Sequence, residues 1–151
     1  MNGLQIQNIL LKYQKTKRIF GGIFPIDVLP LEPIIKKPKL FIINTDVSTG
    51  PGEHWLLIYL HTNGVASYFD SYGLPPRNIF LLNFLKQNST RYVYNNSILQ
   101  GSLSITCGHF CIYFAKRLSQ GQNLRKILSR FRVLRPNLND RIVLLDIRNN
   151  R

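Results

Sequence analysis

Apolar and polar positions along the chain predict an opening helix and, after an irregular segment, a strand. Residues 4–16 place apolar side chains on or near one side of a helix, among them Leu4, Leu10, Leu11 and Tyr13. Residues 20–39 contain four prolines and predict irregular, extended chain. The apolar run 39–45 (KLFIINT) predicts a short buried strand, and the glycine-rich residues 46–53 predict a loop.

The next two apolar runs predict a β-hairpin. HWLLIYL (54–60) and VASYFDS (65–71) flank the sequence HTNG, in which Asn63-Gly64 is a strong turn signal. Folding back at this turn places position 54 opposite positions 70 to 72. His54 and Asp70 are therefore expected at the same end of the hairpin.

Five further elements are predicted in the C-terminal half. Residues 76–87 indicate a helix, and residues 91–100 indicate a strand that ends at Gln100. The clearest helix starts at Cys107, with apolar positions at 107, 110, 111, 114, 115 and 118 and a stop at Gly121. Residues 122–132 and 139–148 predict two basic helices around Pro136.

Size and composition indicate one globular domain over residues 1–151, since 44% of the residues are hydrophobic. No apolar run reaches the length of a transmembrane helix, and the first thirty residues lack the pattern of a signal peptide. Two cysteines, four positions apart, make a poor disulfide framework. We therefore expect an intracellular protein that is not secreted and has no membrane partner.

The net charge of +13, from 20 basic and 7 acidic side chains, favours a polyanionic partner such as nucleic acid or an acidic protein. A general solubility charge is the alternative. No base-reading motif is present, so the expected contact with DNA is independent of sequence. The candidate residues cluster near the C-terminus: Arg125, Lys126, Arg130, Arg132 and Arg135.

Four residues carry the types of side chain that a cysteine hydrolase needs. Cys107 lies at a helix start, where the dipole stabilises a thiolate nucleophile. An upstream His54 would move the proton, Asp70 would orient the imidazole, and Gln100 would stabilise the oxyanion. Taken singly, each has a structural alternative: a core cysteine, a structural histidine, a turn cap and a strand end.

Neighbouring residues add a candidate substrate groove. Trp55 could form its wall, or could belong to the core, and Gly108 would let a substrate backbone approach closely. Cys111 falls within the apolar stripe and is interpreted as a packing residue. A zinc site is a weaker alternative, because C-x-H-x-C on a helix points its members in different directions: Cys107, His109 and Cys111, with His54 as a fourth candidate.

The order of these residues resembles the adenoviral protease family, adenain, including versions carried by virus-like Polinton/Maverick transposons. The resemblance is distributed over FIINTDVSTGPGEHW (41–55), YFDSYG (68–73) and QGSLSITCGHFC (100–111), with six residues between the glutamine and the cysteine. SUMO-specific proteases of the same clan are more distantly similar. Adenoviral enzymes carry glutamate at the third triad position, whereas Asp70 stands here, as in the SUMO proteases.

The resemblance implies a papain-like α+β fold with a central mixed β-sheet flanked by helices. It also implies a His54–Asp70–Cys107 triad with a Gln100 oxyanion hole, cleaving near glycine in capsid or other structural precursors, in the virion or the host nucleus. No cofactor is required by the sequence. Adenoviral enzymes are activated by DNA and by a peptide that can form a disulfide with the enzyme. DNA is a possible activator here, whereas this chain lacks the third cysteine for the peptide link.

Two other functions are compatible with the sequence. The chain could process SUMO or another ubiquitin-like modifier, although it has no modifier-binding extension. It could also be an inactive DNA-binding or scaffold domain, which the complete set of four site residues argues against.

Overall fold

A mixed sheet of five strands forms the centre of the computed structural model, which describes residues 1–148. The strand order is β1-β2-β3-β4-β5, with parallel pairs at both edges and antiparallel pairs between them. The strands are β1 (Phe20–Pro25), β2 (Lys39–Asn44), β3 (Trp55–Leu60), β4 (Val65–Asp70) and β5 (Arg91–Tyr94).

Helices cover both faces of this sheet, which confirms the predicted α+β class with a central mixed sheet. Alternate residues of the strands point to opposite faces. One face packs against most of the helices, and the other packs against α3 and a short 3₁₀ turn, Ile26–Val28. The helices are α1 (Gly3–Lys12), α2 (Gln14–Ile19), α3 (Ile79–Asn88), α4 (Cys107–Ser119), α5 (Leu124–Leu128) and α6 (Pro136–Arg148).

The predicted hairpin is confirmed as β3 and β4. Leu56 pairs with Asp70, and Leu60 pairs with Ala66. Gly64 has a φ of 82°, a left-handed conformation that glycine adopts without a steric penalty and that closes the turn. The pairing reaches Leu56 and Asp70 at the open end of the hairpin, and His54 lies two residues before Leu56, so His54 and Asp70 lie at the same end of these two strands.

Helix α4 is fixed against the sheet by an aromatic core. The ring of Phe114 stacks on Phe69 of β4, with centroids 3.7 Å apart, and Phe131 stacks on the other side of Phe114 at 5.6 Å. The predicted stripe is buried from Phe110 to Leu118, whereas Cys107 at its start is half-buried. Gly121, with a φ of 85°, follows the end of the helix as expected. Burial of this stripe sets the position of the residue that begins the helix.

Several predicted elements differ from those observed. Residues 20–39 are not wholly irregular, because β1, which ends at the first proline, Pro25, pairs with β2. The strand predicted over 91–100 ends at Tyr94, and the opening helix is interrupted at Tyr13. Leu4, predicted on the apolar side, is 66% exposed, and Ile6 is buried instead.

The third helix begins at Ile79, later than predicted, because the Asn78 side chain caps it by accepting the N–H of Phe80. Among the helices of residues 1–148, none has the length and apolar character needed to cross a membrane.

Candidate active site

His54 and Asp70 form a hydrogen-bonded pair at the open end of the hairpin. His54 Nε2 lies 2.7 Å from Asp70 Oδ1, and the two side chains are 16% and 3% exposed. Because an ionised carboxylate only accepts hydrogen bonds, Nε2 is the protonated nitrogen. The other ring nitrogen, Nδ1, is thereby available to a second partner.

Asp70 is held by groups on both of its sides. Its Oδ1 also accepts the backbone N–H of Tyr72 at 2.9 Å. Its own backbone N–H donates to Asn95 Oδ1 at 3.1 Å, and Asn95 Nδ2 donates to its carbonyl at 2.5 Å. The carboxylate therefore has a fixed direction, which in turn fixes the plane of the imidazole.

Cys107 is the first residue of α4 and is a free, half-buried thiol. Its thiol lines the same cleft as His54, and the two groups lie close enough to shift each other's pKa. The first N–H groups of a helix have no partner within the helix, so the sulfur lies where the dipole favours a negative charge.

The pKa values of these two groups move in opposite directions. Burial would lower the pKa of His54, but the hydrogen bonds to Asp70 and Cys107 outweigh burial and raise it to about 9. Burial would raise the pKa of Cys107, but the hydrogen bond with His54 and backbone contacts at Trp55 and Gly108 bring it below the usual thiol range. Both shifts favour a thiolate beside an imidazolium.

Gln100 is buried, and its amide orientation is set by three contacts. Its Oε1 accepts the hydroxyl hydrogen of Ser71 at 2.7 Å. Its Nε2 donates to the carbonyl of Ser104 at 2.7 Å and to the phenol oxygen of Tyr72 at 3.2 Å. The longer contact with Tyr72 is the weaker of the two made by the amino group.

One cleft of about 670 Å³ brings the predicted residues together. His54, Gln100 and Cys107 line it, and Asp70 lies behind the imidazole. Trp55 also lines the cleft, and its indole N–H donates to the Met1 carbonyl at 3.1 Å.

Gly108 is not among the residues that line this cleft. A Cβ added there would lie 3.1 Å from Ile6 and 3.4 Å from Trp55. The glycine therefore allows α1 and Trp55 to approach the start of α4. Its contact with a substrate stays a prediction.

Tyr72 was not predicted as a site residue, although it lies within the YFDSYG motif. Its ring centroid is 4.9 Å from that of His54, and its hydroxyl contacts Gln100. Burial, with the negative charges of Cys107 and Asp70, raises the pKa of the phenol. Only its position two residues after Asp70, just beyond the end of β4, could have indicated this role.

The remaining thiol and the third histidine lie apart from this chemistry. Cys111 is fully buried and its S–H donates to the Trp55 carbonyl at 3.4 Å, which confirms its predicted packing role. Burial raises its pKa well above the usual thiol range. His109 lines a different cavity. Within residues 1–148, no group of three or more histidine, cysteine, aspartate or glutamate side chains is arranged to hold a metal.

The five basic residues proposed to bind DNA are exposed. Two belong to α5, and three lie between α5 and the start of α6. The ion pairs found within the described part of the chain do not involve them. Their guanidinium and ammonium groups are thus accessible to a polyanion: Arg125, Lys126, Arg130, Arg132 and Arg135.

Comparison with solved structures shows that the fold is similar to that of a viral protease. The structure of the pS273R protease of ASFV (African swine fever virus) matches 85% of this chain with a TM-score of 0.59 and 16% identity. The selenomethionine form of that protease matches 62% of this chain, with a TM-score of 0.45 and 25% identity.

The chain spans 60% and 40% of the length of those two structures, respectively. No protein-family model and no curated protein matches the sequence. The likeness therefore concerns the fold, and the chemistry has to be argued from the cleft.

Proposed function

We propose that this chain is a cysteine endopeptidase with a His54–Asp70–Cys107 triad. One observation carries the proposal: the His54 imidazole is hydrogen-bonded to a buried carboxylate and lines the same cleft as a thiol at a helix start. Its raised pKa and the lowered pKa of the thiol are what an ion-pair nucleophile requires. The shared fold with a viral protease supports the same activity.

In the proposed mechanism, the Cys107 thiolate attacks the scissile carbonyl carbon, and the C–O π electrons move to oxygen. The tetrahedral intermediate collapses, the C–N bond breaks, and His54 gives its proton to the leaving amine. Water, deprotonated by the now neutral imidazole, then attacks the thioester, and the thiolate leaves with the product acid complete. Asp70 keeps the imidazole oriented through both proton transfers.

The oxyanion would be stabilised by two donors. One is the backbone N–H of Cys107, which has no partner within its own helix. The other is Gln100 Nε2, whose long contact with the Tyr72 hydroxyl can be exchanged for the oxyanion while its contact with Ser104 is kept. The Ser71 hydroxyl holds the far end of the amide during this exchange.

We further propose that the substrates are extended segments of viral or virus-like structural precursors, cut near glycine. This specificity follows from the sequence resemblance to adenain, and Trp55 at the wall of the cleft is compatible with a narrow groove. Such an enzyme would act in the virion or in the nucleus of the host cell. A protease for SUMO or another ubiquitin-like modifier is the second candidate, favoured by the fold itself.

Non-specific DNA binding at the C-terminal basic residues is proposed as an accessory property. Their exposure and the net charge of +13 support it. Neutralising phosphates releases counterions, so such binding requires no base contact. DNA would either activate the protease or hold it near its substrates.

The proposal is tested by incubating the protein with a library of glycine-containing peptides and with modifiers that carry a Gly-Gly extension, each with and without DNA. Cleavage of simple peptides supports the endopeptidase. Cleavage only after a folded modifier supports the second candidate. If the wild-type protein cleaves neither kind of substrate faster than its Cys107→Ala variant does, both candidate functions are contradicted.

A further inference from the structure

The segment between Gln100 and Cys107 is held by a buried acid of α6. Residues 101–106 join the proposed oxyanion donor to the proposed nucleophile, so their shape sets the distance between the two. Asp140, in the second turn of α6, is 7% exposed and directs its carboxylate at this segment.

A single carboxylate contacts both ends of the segment. Asp140 Oδ2 accepts the backbone N–H of Gly101 at 3.2 Å, and Oδ1 is 3.5 Å from the same nitrogen. Asp140 Oδ1 also accepts the hydroxyl hydrogen of Thr106 at 2.7 Å. Gly101 directly follows Gln100, and Thr106 directly precedes Cys107.

The interior of the segment continues this network. The hydroxyls of Ser104 and Thr106 are 2.6 Å apart, and the Ser104 carbonyl accepts from Gln100 Nε2. The carbonyl that orients the glutamine amide therefore lies on the same short segment that Asp140 anchors. A shift of that segment would move the amide and the thiol relative to each other.

The local backbone leaves room for this carboxylate only because residue 101 is glycine. A Cβ at that position would lie 2.8 Å from Asp140 Oδ2 and 3.0 Å from Asn137 Oδ1. Asn139, the residue before Asp140 in α6, makes a separate contact with the chain near Gln100: its Nδ2 donates to the Leu99 carbonyl at 3.1 Å. The start of α6 is thus packed closely against the residues on either side of Gln100.

We infer that Asp140 is a positioning residue for the oxyanion hole: it fixes the placement of the Gln100 amide relative to the Cys107 thiol. The inference rests on the proposed protease function. Stabilisation of an oxyanion depends steeply on donor position, and a misplacement of about 1 Å can cost roughly 100-fold in rate. Direct alkylation of the thiolate forms no oxyanion and does not depend on Gln100.

The test compares Asp140→Ala with Asp146→Ala. Asp146 lies on the same helix, but it pairs with Lys116 and Arg117 of α4 and provides a matched loss of a partly buried carboxylate. Asp140→Ala is expected to lower kcat on a peptide substrate roughly 10- to 100-fold with a smaller change in KM. The rate of Cys107 alkylation by iodoacetamide should stay within about twofold of wild type, and Asp146→Ala should change neither rate by more than that.

A second pair of variants tests the geometry. Gly101→Ala should reproduce the loss of kcat, because its Cβ meets the Asp140 carboxylate. Adding Gly101→Ala to Asp140→Ala should then cost little more, since the two changes disturb one contact. Independent, additive losses would contradict the inference.

The remaining outcomes separate this inference from the proposed function. An unchanged kcat in folded Asp140→Ala, or a parallel fall in alkylation, overturns the positioning role. If the wild-type protein cleaves no peptide, the proposed function fails, and hydrogen exchange still tests the anchoring. Asp140→Ala should increase exchange of the amides in residues 101–106, and unchanged protection there would overturn the inference by itself.

Discussion

Asn95 pairs with the backbone of Asp70 as a neighbouring strand residue would, receiving its N–H and donating to its carbonyl. Both residues are about 2% exposed, so no water replaces these contacts. A side-chain amide thus completes the sheet at the point where β5 has already ended. The orientation of the Asp70 carboxylate beside His54 therefore depends on the Asn95 side chain, which takes the place of a strand backbone.

Replacing Asn95 with alanine is expected to destabilise the fold by roughly 2–4 kcal/mol, because two buried backbone groups lose their partners. The kcat should fall as well, since Asp70 is no longer held in line with His54. Urea denaturation and peptide cleavage measure the two effects. Thr45→Ala, at a more exposed position near the same end of the sheet, serves as a control. If the Asn95→Ala variant is as stable as the wild-type protein, the Asn95 amide makes no net contribution to the free energy of unfolding.

The two cysteines are expected to differ completely in function. Cys107→Ala should abolish cleavage and labelling by a thiol-directed probe, because the ionised thiol is lost. Cys111→Ala should keep most of the activity and lose about 1 kcal/mol or more of stability through a small core cavity. Mass spectrometry of the labelled protein identifies the reactive thiol. Peptide cleavage by the Cys107→Ala variant would show that Cys107 is not the nucleophile.

Gln100→Ala is expected to lower kcat by about 100-fold or more, because the amide stabilises charge that develops only in the transition state. Gln100→Glu is the matched variant: it retains an acceptor for the Ser71 hydroxyl but has no N–H to donate. Both should lose kcat while the circular dichroism spectrum is unchanged. A change confined to KM would instead identify Gln100 as a substrate contact.

The pH dependence of kcat/KM should follow the thiolate–imidazolium pair. Activity should rise at pH values below the ordinary thiol range, because the lowered pKa of Cys107 keeps the sulfur ionised there. It should fall as His54 loses its proton at about 9, since the leaving amine then has no acid to protonate it. His54→Ala should return thiol alkylation to the pH range of an ordinary cysteine. An alkylation profile unaffected by that variant would show that His54 does not ionise the thiol.

Binding to duplex DNA should weaken steeply with added salt and ignore base sequence. A triple variant of Arg125, Arg130 and Arg132 to alanine should bind more weakly and with a smaller salt slope, as measured by fluorescence anisotropy. The matched control removes the exposed charges of Lys15, Lys17 and Arg18 on α2. If the two triple variants weaken DNA binding equally, binding depends on net charge alone and the proposed C-terminal DNA site is wrong.

The hairpin could be predicted because its signals are local. Asn63-Gly64 defines the turn, and the two flanking apolar runs define the strands, which are six residues long in the structure. Strand β1 was missed because its pairing is parallel and distant in sequence, and its double glycine reads as a breaker. Gly21 in fact lies against the ring of Phe41, where a Cβ would come within 2.4 Å.

The predicted site residues were found through their chemical types and their order, whereas their supports were not. Tyr72, Asn95 and Asp140 act through partners that lie far along the sequence; Gly101 and Asp140, for example, are 39 positions apart. No periodicity or spacing marks such a contact in one sequence. These residues become visible only when the fold has brought the segments together.

The stacking of Phe69 on Phe114 has a mechanical consequence. Asp70, next to Phe69, belongs to the sheet with His54, whereas Cys107 belongs to the helix that carries Phe114. The proposed base and the proposed nucleophile thus lie on separate layers of the fold, and the contact between Phe69 and Phe114 packs the two layers together. Because both rings are fully buried, a smaller side chain at either position would lower stability and would also loosen the placement of the nucleophile relative to the base.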